Sequence, residues 1–209
     1  MTGDGDQNFS SAAYWQERYK AGGTSGSGSY GRLAVYKAHF INELVHRHQI
    51  KSVIEFGCGD GNQASLFTIP KYTGLDVSKE SVTQCRIKFA DVMRWSFHQI
   101  GTYAIRKNHQ LSMSLDVLYH LVEDDVFEKY MKHLFASASG YVLIYSSDHD
   151  DASGATHVRH RAYSNWVSEN IDDWTEIETF AHPYPRNEKS NPRHTALAFF
   201  RLYGRKDVS

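Results

Sequence analysis

Three groups of residues in this chain carry side chains suited to chemistry. The run Glu55-Phe56-Gly57-Cys58-Gly59-Asp60-Gly61-Asn62-Gln63 puts a glycine at every second position after a short apolar stretch. Glycines there let the backbone turn tightly and let a ligand approach the main chain. Asp76 follows 19 residues beyond Gly57 and lies in the next apolar stretch. A carboxylate so placed accepts hydrogen bonds from both hydroxyls of a ribose. The second group is Asp116-Val117-Leu118-Tyr119-His120. An imidazole of ordinary pKa, about 6.5, suits proton abstraction near neutral pH. His120 is therefore a candidate base; the competing reading is that Tyr119 and His120 pack against a ligand or bind substrate. The third group is His157-Val158-Arg159-His160-Arg161. Its cationic and titratable side chains can grip phosphate or carboxylate, arginine in bidentate fashion. The alternative is a solvated helix start. A zinc site from His149, His157 and His160 is a weak pattern, and the expectation is no metal.

Charge narrows the ligand of the glycine motif. A dinucleotide sets an anionic pyrophosphate on backbone N–H groups, and Glu55 and Asp60 would repel it. S-adenosylmethionine has no phosphate; its sulfonium and α-ammonium are cationic and favour nearby carboxylates. The spacing is G-x-G-x-G rather than G-x-G-x-x-G, and no phosphate-binding G-x-x-x-x-G-K-[ST] occurs.

The elements that must position these groups alternate in type. Residues 10–20 read as a helix with Ser10 or Ser11 as N-cap. Residues 21–31, rich in Gly and Ser, form a loop. Leu33 to Gln49 carries one apolar stripe through Leu33, Tyr36, Lys37, Phe40, Ile41, Leu44 and Val45. Strands are expected at 52–56, 72–77, 95–100, 110–117 and 141–145, with the glycine motif opening a helix. Further helices are expected at 79–89 (Ser78 as N-cap), 123–137 and 161–168. Residues 174–182 and 194–203 read as a closing antiparallel pair. Such alternation means a mostly parallel sheet covered by helices, with ligands at the carboxyl ends of the strands.

The chain has 209 residues, which fits one domain, and 13% aromatic residues, which a disordered chain lacks. A net charge of -1 disfavours a broadly basic nucleic-acid binder. No apolar run of about 18 residues suggests a membrane span, and the N-terminus lacks the basic start and apolar run of a signal peptide. Two cysteines, Cys58 and Cys85, read as reduced cytosolic thiols.

Three segments together resemble the class I S-adenosylmethionine-dependent methyltransferases. They are Val53-Ile54-Glu55-Phe56-Gly57-Cys58-Gly59-Asp60-Gly61, then Gly74-Leu75-Asp76-Val77-Ser78, then Ser114-Leu115-Asp116-Val117-Leu118-Tyr119-His120-Leu121. The resemblance implies a Rossmann-like α/β fold, a seven-stranded mostly parallel sheet whose last strand inserts antiparallel between the fifth and sixth. It implies that Glu55, Gly57 and Gly59 flank the methionine part of the cofactor, with Cys58 and Asp60 in the same loop. Asp76 and Val77 would hold the ribose, and Asp116 would face the transferring methyl. The small acidic residue that often follows the third strand is replaced by Phe97-His98-Gln99-Ile100, so Gln99 or Ile100 is the candidate adenine contact.

The expected activity is methyl transfer to a small polar, perhaps anionic, acceptor, with oxygen favoured. His120 and Asp116 are the candidate catalytic pair. Trp15, Tyr19, Tyr30, Tyr119, His157, Arg159, His160 and Arg161 are candidate substrate contacts. Residues 1–32 are expected to be an N-terminal helix and flap, and 33–209 the methyltransferase domain. The flap either closes over the cofactor as a lid or packs on the sheet edge. A cytoplasmic protein is expected, with no long nucleic acid and no membrane partner. A non-catalytic cofactor-binding subunit and an amine, protein or RNA methyltransferase are the alternatives.

Overall fold

The computed structural model describes residues 9–152, 155–187, 189, 191 and 194–206. The polar first eight residues, and parts of the loops at 153–154 and 188–193, lie outside them.

Helix α1 spans Ser11–Lys20, and the Ser10 side chain accepts a hydrogen bond from the Ala13 N–H (3.3 Å) as its N-cap. Helix α2 spans Gly31–Arg47 and buries Leu33, Lys37, Ile41, Leu44 and Val45 along one stripe. Strands β1 (Val53–Phe56) and β2 (Tyr72–Asp76) are buried at every position, as central parallel strands require. Helix α3 spans Lys79–Lys88 with Ser78 as N-cap, and β3 spans Trp95–Gln99. Strand β4 (His109–Leu115), helix α4 (Asp124–Ala136) and strand β5 (Ala138–Ser146) follow. Helix α5 (Tyr163–Asn170) leads into β6 (Trp174–Phe180) and β7 (Phe199–Arg205).

One expectation fails here. The glycine motif opens no α-helix; a single 3-10 turn, Ala64–Leu66, takes its place. Only ten residues separate Gly61 from Tyr72, and they include the β-branched Thr68 and Ile69 and then Pro70. Proline removes an N–H and disfavours helix in the residue before it. The β3–β4 connection, residues 100–108, is also without a helix.

The seven strands run in the order β3-β2-β1-β4-β5-β7-β6. Strands β1 to β5 pair in parallel, while β7 is antiparallel to both β5 and β6. The antiparallel strand is thus internal, and β6 forms the edge. The order reverses between β1 and β4, where Phe56 pairs with Ser114. The carboxyl ends of those two strands are therefore the switch point at which ligands bind in such sheets. Successive side chains of β1 point to opposite faces. Val53 joins Ile41, Met113 and Phe200 in one core cluster, and Ile54 joins Phe127, Leu134 and Ile144 in the other. No helix among the described residues is long and apolar enough to cross a membrane.

Candidate active site

A cavity of about 860 Å³ opens at the switch point. Its floor is the glycine turn. Gly57, Gly59 and Gly61 have φ of 87°, 57° and 71°, values that side chains other than glycine rarely adopt. A Cβ on Gly57 would collide with the Val117 side chain, and one on Gly59 with the Ser25 and Tyr19 hydroxyls. The turn is therefore close-packed as well as left-handed.

Buried carboxylates form the polar wall. Glu55 on β1 is 2% exposed and accepts a hydrogen bond from the Tyr72 hydroxyl. Burial pushes its carboxyl up to about 7, against the opposing pull of that hydroxyl and of the Lys37 ammonium. Asp76 ends β2 and accepts from the Gly59 and Ser78 N–H groups, each at 2.9 Å. Burial raises its pKa despite those bonds. Gln63 is also buried; its Nε2 donates to the Ala34 carbonyl (3.0 Å), while its Oε1 has no hydrogen-bond partner among the described residues. Glu55, Asp76 and Gln63 all line the cavity.

Asp116 follows β4 with φ of 60°, an uncommon conformation that aspartate tolerates better than most residues. Its Oδ2 accepts from the Lys37 ammonium at 2.5 Å, and its Oδ1 from the Tyr119 hydroxyl at 2.7 Å. The Lys37 side chain is fully buried, and its ammonium lies 5.1 Å from the centre of the Tyr145 ring. A buried ammonium needs such a partner.

His120 sits in a 3-10 turn, Leu118–His120. Its Nδ1 lies 3.0 Å from the His157 carbonyl oxygen. A carbonyl only accepts, so the proton resides on Nδ1 and Nε2 keeps a lone pair. Burial pushes the imidazole down to about 4, so it is neutral near pH 7. Trp15 packs edge-on against it at 4.8 Å, and His157 stacks at 5.7 Å and in turn stacks on Tyr14 at 4.6 Å.

The N-terminal segment lies across this mouth. The Ser25 N–H and the Tyr30 hydroxyl donate to Asp60 Oδ2 at 2.9 and 2.8 Å, and the Asp60 N–H donates to Ser25 Oγ at 2.9 Å. Burial opposes ionisation of Asp60, but these donors and the Asn62 N–H outweigh it and hold its pKa low. A Cβ on Gly28 would meet Asp116 Oδ2 at 2.8 Å. The flap therefore rests directly on Asp116.

The cavity collects many of the candidate residues. Trp15, Tyr19, Gln99, Asp116 and His120 line it, as do Cys58, Val77 and the glycines at 57 and 59. The Gln99 amide nitrogen donates to the Val77 carbonyl at 3.0 Å. Cys58 and Cys85 are both buried and free, and the Cys85 thiol and burial together hold the Cys58 thiol protonated. Asp60 and Tyr30 stand behind the floor as the latch of the flap, and burial and Asp60 push the Tyr30 hydroxyl up to about 12. Tyr119 turns its hydroxyl to Asp116.

Of the basic cluster, His157 stacks on His120, whereas Arg159, His160 and Arg161 do not line the cavity. Arg159 and Arg161 both pair with Asp124 (2.9 and 3.0 Å) and donate to the Val122 carbonyl. Arg161 also donates to the Leu121 carbonyl and lies over the Phe127 ring. The His160 Nδ1 lies 2.6 Å from Ser147 Oγ, and its ring stacks on His149 at 4.9 Å. Among the described residues, no group of three His, Cys, Asp or Glu side chains has the geometry to hold a metal.

Two features of the site, the Lys37 partner of Asp116 and the cavity residue Gln63, were not assigned from sequence. Lys37 sat in the apolar stripe of α2, where a lysine among Leu33, Ile41 and Leu44 was the available signal. Gln63 closed the glycine motif without a role.

No protein-family model and no curated sequence matches the chain. Solved structures do match in shape. The chain is similar to the N-methyltransferase NodS from Bradyrhizobium japonicum WM9, solved with S-adenosyl-l-homocysteine, at 12% identity over 94% of this chain and 100% of that one, with a TM-score of 0.69. It is similar to magnesium protoporphyrin IX methyltransferase (ChlM) from Synechocystis PCC 6803 with bound SAM, at 12% identity over 96% and 100% of the two chains and a TM-score of 0.67. It is also similar to the 1,6-didemethyltoxoflavin-N1-methyltransferase of Burkholderia thailandensis, at 15% identity over 93% and 86% and a TM-score of 0.64. With the strand order, this establishes the class I methyltransferase fold.

Proposed function

We propose that this chain is an S-adenosylmethionine-dependent methyltransferase acting on a small polar acceptor, with oxygen the favoured acceptor atom. One observation carries the reading: two buried carboxylates, Glu55 and Asp76, and the unpartnered Gln63 Oε1 share one cavity wall at the switch point. Those groups fit a cationic ligand carrying a ribose and disfavour a pyrophosphate. The cofactors named for the NodS and ChlM structures support the same ligand.

S-adenosylmethionine supplies a methyl group already activated by its sulfonium. The residues of the chain bind and orient. Asp76 takes the ribose, and Glu55 and Gln63 take the amino-acid end. Val77, Gln99 and the glycine turn, with Cys58 buried beneath it, shape the adenosine site. Trp15 and Tyr19 exclude water from the mouth. The neutral His120 accepts the acceptor's proton at Nε2. Asp116, held by Lys37 and Tyr119, fixes the anionic wall beside the methyl and does not itself take the proton. Arg159, Arg161 and His160 hold the chain around Asp124 and Ser147 and do not contact the substrate. The protein acts in the cytoplasm on a small molecule, without long nucleic acid or membrane.

Equilibrium binding of S-adenosylhomocysteine tests this. Micromolar affinity, about 8 kcal/mol, should fall at least a hundredfold in Asp76→Ala. Binding of NADH in place of S-adenosylhomocysteine would overturn the reading.

A further inference from the structure

A second set of buried polar groups without hydrogen-bond partners among the described residues lies near Asp116. The Asp116 N–H donates to the Tyr145 carbonyl at 2.9 Å, so the two residues are neighbours at the ends of β4 and β5. Tyr145 is 1% exposed, and its hydroxyl has no hydrogen-bond partner among the described residues. The His182 ring centre is 5.9 Å from that of Tyr145. His182 Nδ1 accepts the Tyr184 N–H at 2.9 Å, so its proton must sit on Nε2. That Nε2–H is also buried and without a hydrogen-bond partner among the described residues. Burial, the largest cause, lowers the His182 pKa, so the ring is a neutral donor near pH 7. Leaving a buried polar group unpaired costs on the order of 1–3 kcal/mol, and two such groups on neighbouring rings are unusual in a folded protein.

The surroundings are aromatic. Tyr36 packs edge-on against His182 at 4.7 Å, and Tyr184 does so at 5.8 Å. Arg32 covers the outer Tyr184 ring at 4.0 Å. The neighbouring segment 183–187 is exposed throughout.

We propose that Tyr145 and His182 form the acceptor-recognition site, binding a planar aromatic acceptor through an oxygen that receives hydrogen bonds from Tyr145 Oη and His182 Nε2. This rests on the methyltransferase reading, because it is the position beside Asp116 that makes the ligand an acceptor.

The probe is 4-nitrocatechol, a planar hydroxylated ring whose absorbance reports binding. It is titrated into the protein saturated with S-adenosylhomocysteine. Tyr145→Phe removes only the hydroxyl. His182→Asn keeps an acceptor for the Tyr184 N–H and removes the Nε2 donor. Each variant should weaken 4-nitrocatechol binding at least tenfold and leave S-adenosylhomocysteine affinity within twofold of wild type. Tyr145→Phe should melt no lower than wild type, since its hydroxyl has no partner to lose. Unchanged probe affinity in both variants, or no probe binding by the wild type, would overturn the site. Equal affinity for cyclohexane-1,2-diol would overturn the planar class. If the wild type fails to bind S-adenosylhomocysteine, the cofactor reading falls instead, and the probe titration without it still decides whether Tyr145 and His182 form a site.

Discussion

The two most polar regions of the molecule are built in opposite ways. At the cluster around Arg159 and Arg161, both guanidinium groups are satisfied within the chain by Asp124 and by the carbonyls of Leu121 and Val122. At the cavity wall, Glu55 and Asp76 are buried with raised pKa values, and Gln63 Oε1 has no partner. The cluster is dense in charge and complete; the wall is sparser and incomplete. A ligand belongs where burial has left polar groups wanting, because completing them returns the desolvation cost they carry. Charge density along a sequence measures something else, which here is the bracing of the chain at the start of α4.

Breaking the buried pair beneath the wall gives the largest expected effect. Lys37→Met leaves Asp116 facing an apolar stem, and urea unfolding should show a loss of about 3–5 kcal/mol. Adding Asp116→Asn should restore part of it, because no charge is then left uncompensated and asparagine tolerates the positive φ.

The wall itself should report through pH. The folded pKa of Glu55, about 7, lies above the ordinary value of 4.5. The folded protein therefore keeps this proton while the unfolded chain loses it. The group's contribution to stability falls as pH rises from about 4.5 to 7. Glu55→Gln removes that slope. Relative to wild type it should gain about 3 kcal/mol between pH 4 and pH 7.5, measured by denaturant unfolding at each pH. No change in the difference would mean that Glu55 titrates in the folded protein as it does in the unfolded chain.

The arginine cluster should behave as structure alone. Arg161→Ala should lose about 2 kcal/mol of stability and leave S-adenosylhomocysteine affinity unchanged. A loss of affinity without loss of stability would erase the contrast between the regions. The smallest effect belongs to the flap latch. Asp60→Asn weakens three hydrogen bonds at a half-buried position and should cost about 1 kcal/mol. Hydrogen exchange should then rise at Ser25 and Asn62.

What the sequence disclosed was what is local. The glycine turn, the N-caps at Ser10 and Ser78, and the alternation of strands and helices each depend on residues a few positions apart. The failure after Gly61 was local too: Pro70 and a ten-residue span left no room for the expected helix. The hidden features are long-range pairs. Lys37 and Asp116 are 79 positions apart, and Arg161 meets Asp124 across 37. Spacing along the chain gives no sign of such partners. A lysine on an apolar stripe was the visible trace of the first, and nothing in the sequence told a satisfied arginine from one awaiting a ligand.

Calorimetric titration of S-adenosylmethionine at pH 6, in two buffers of different ionisation enthalpy, tests the central claim most directly. Glu55 is then mostly protonated, and a cation bound beside it lowers its pKa. The account predicts binding with net proton release, lost in Glu55→Gln and retained in Arg161→Ala. Binding without proton release, or no binding at all, would contradict it.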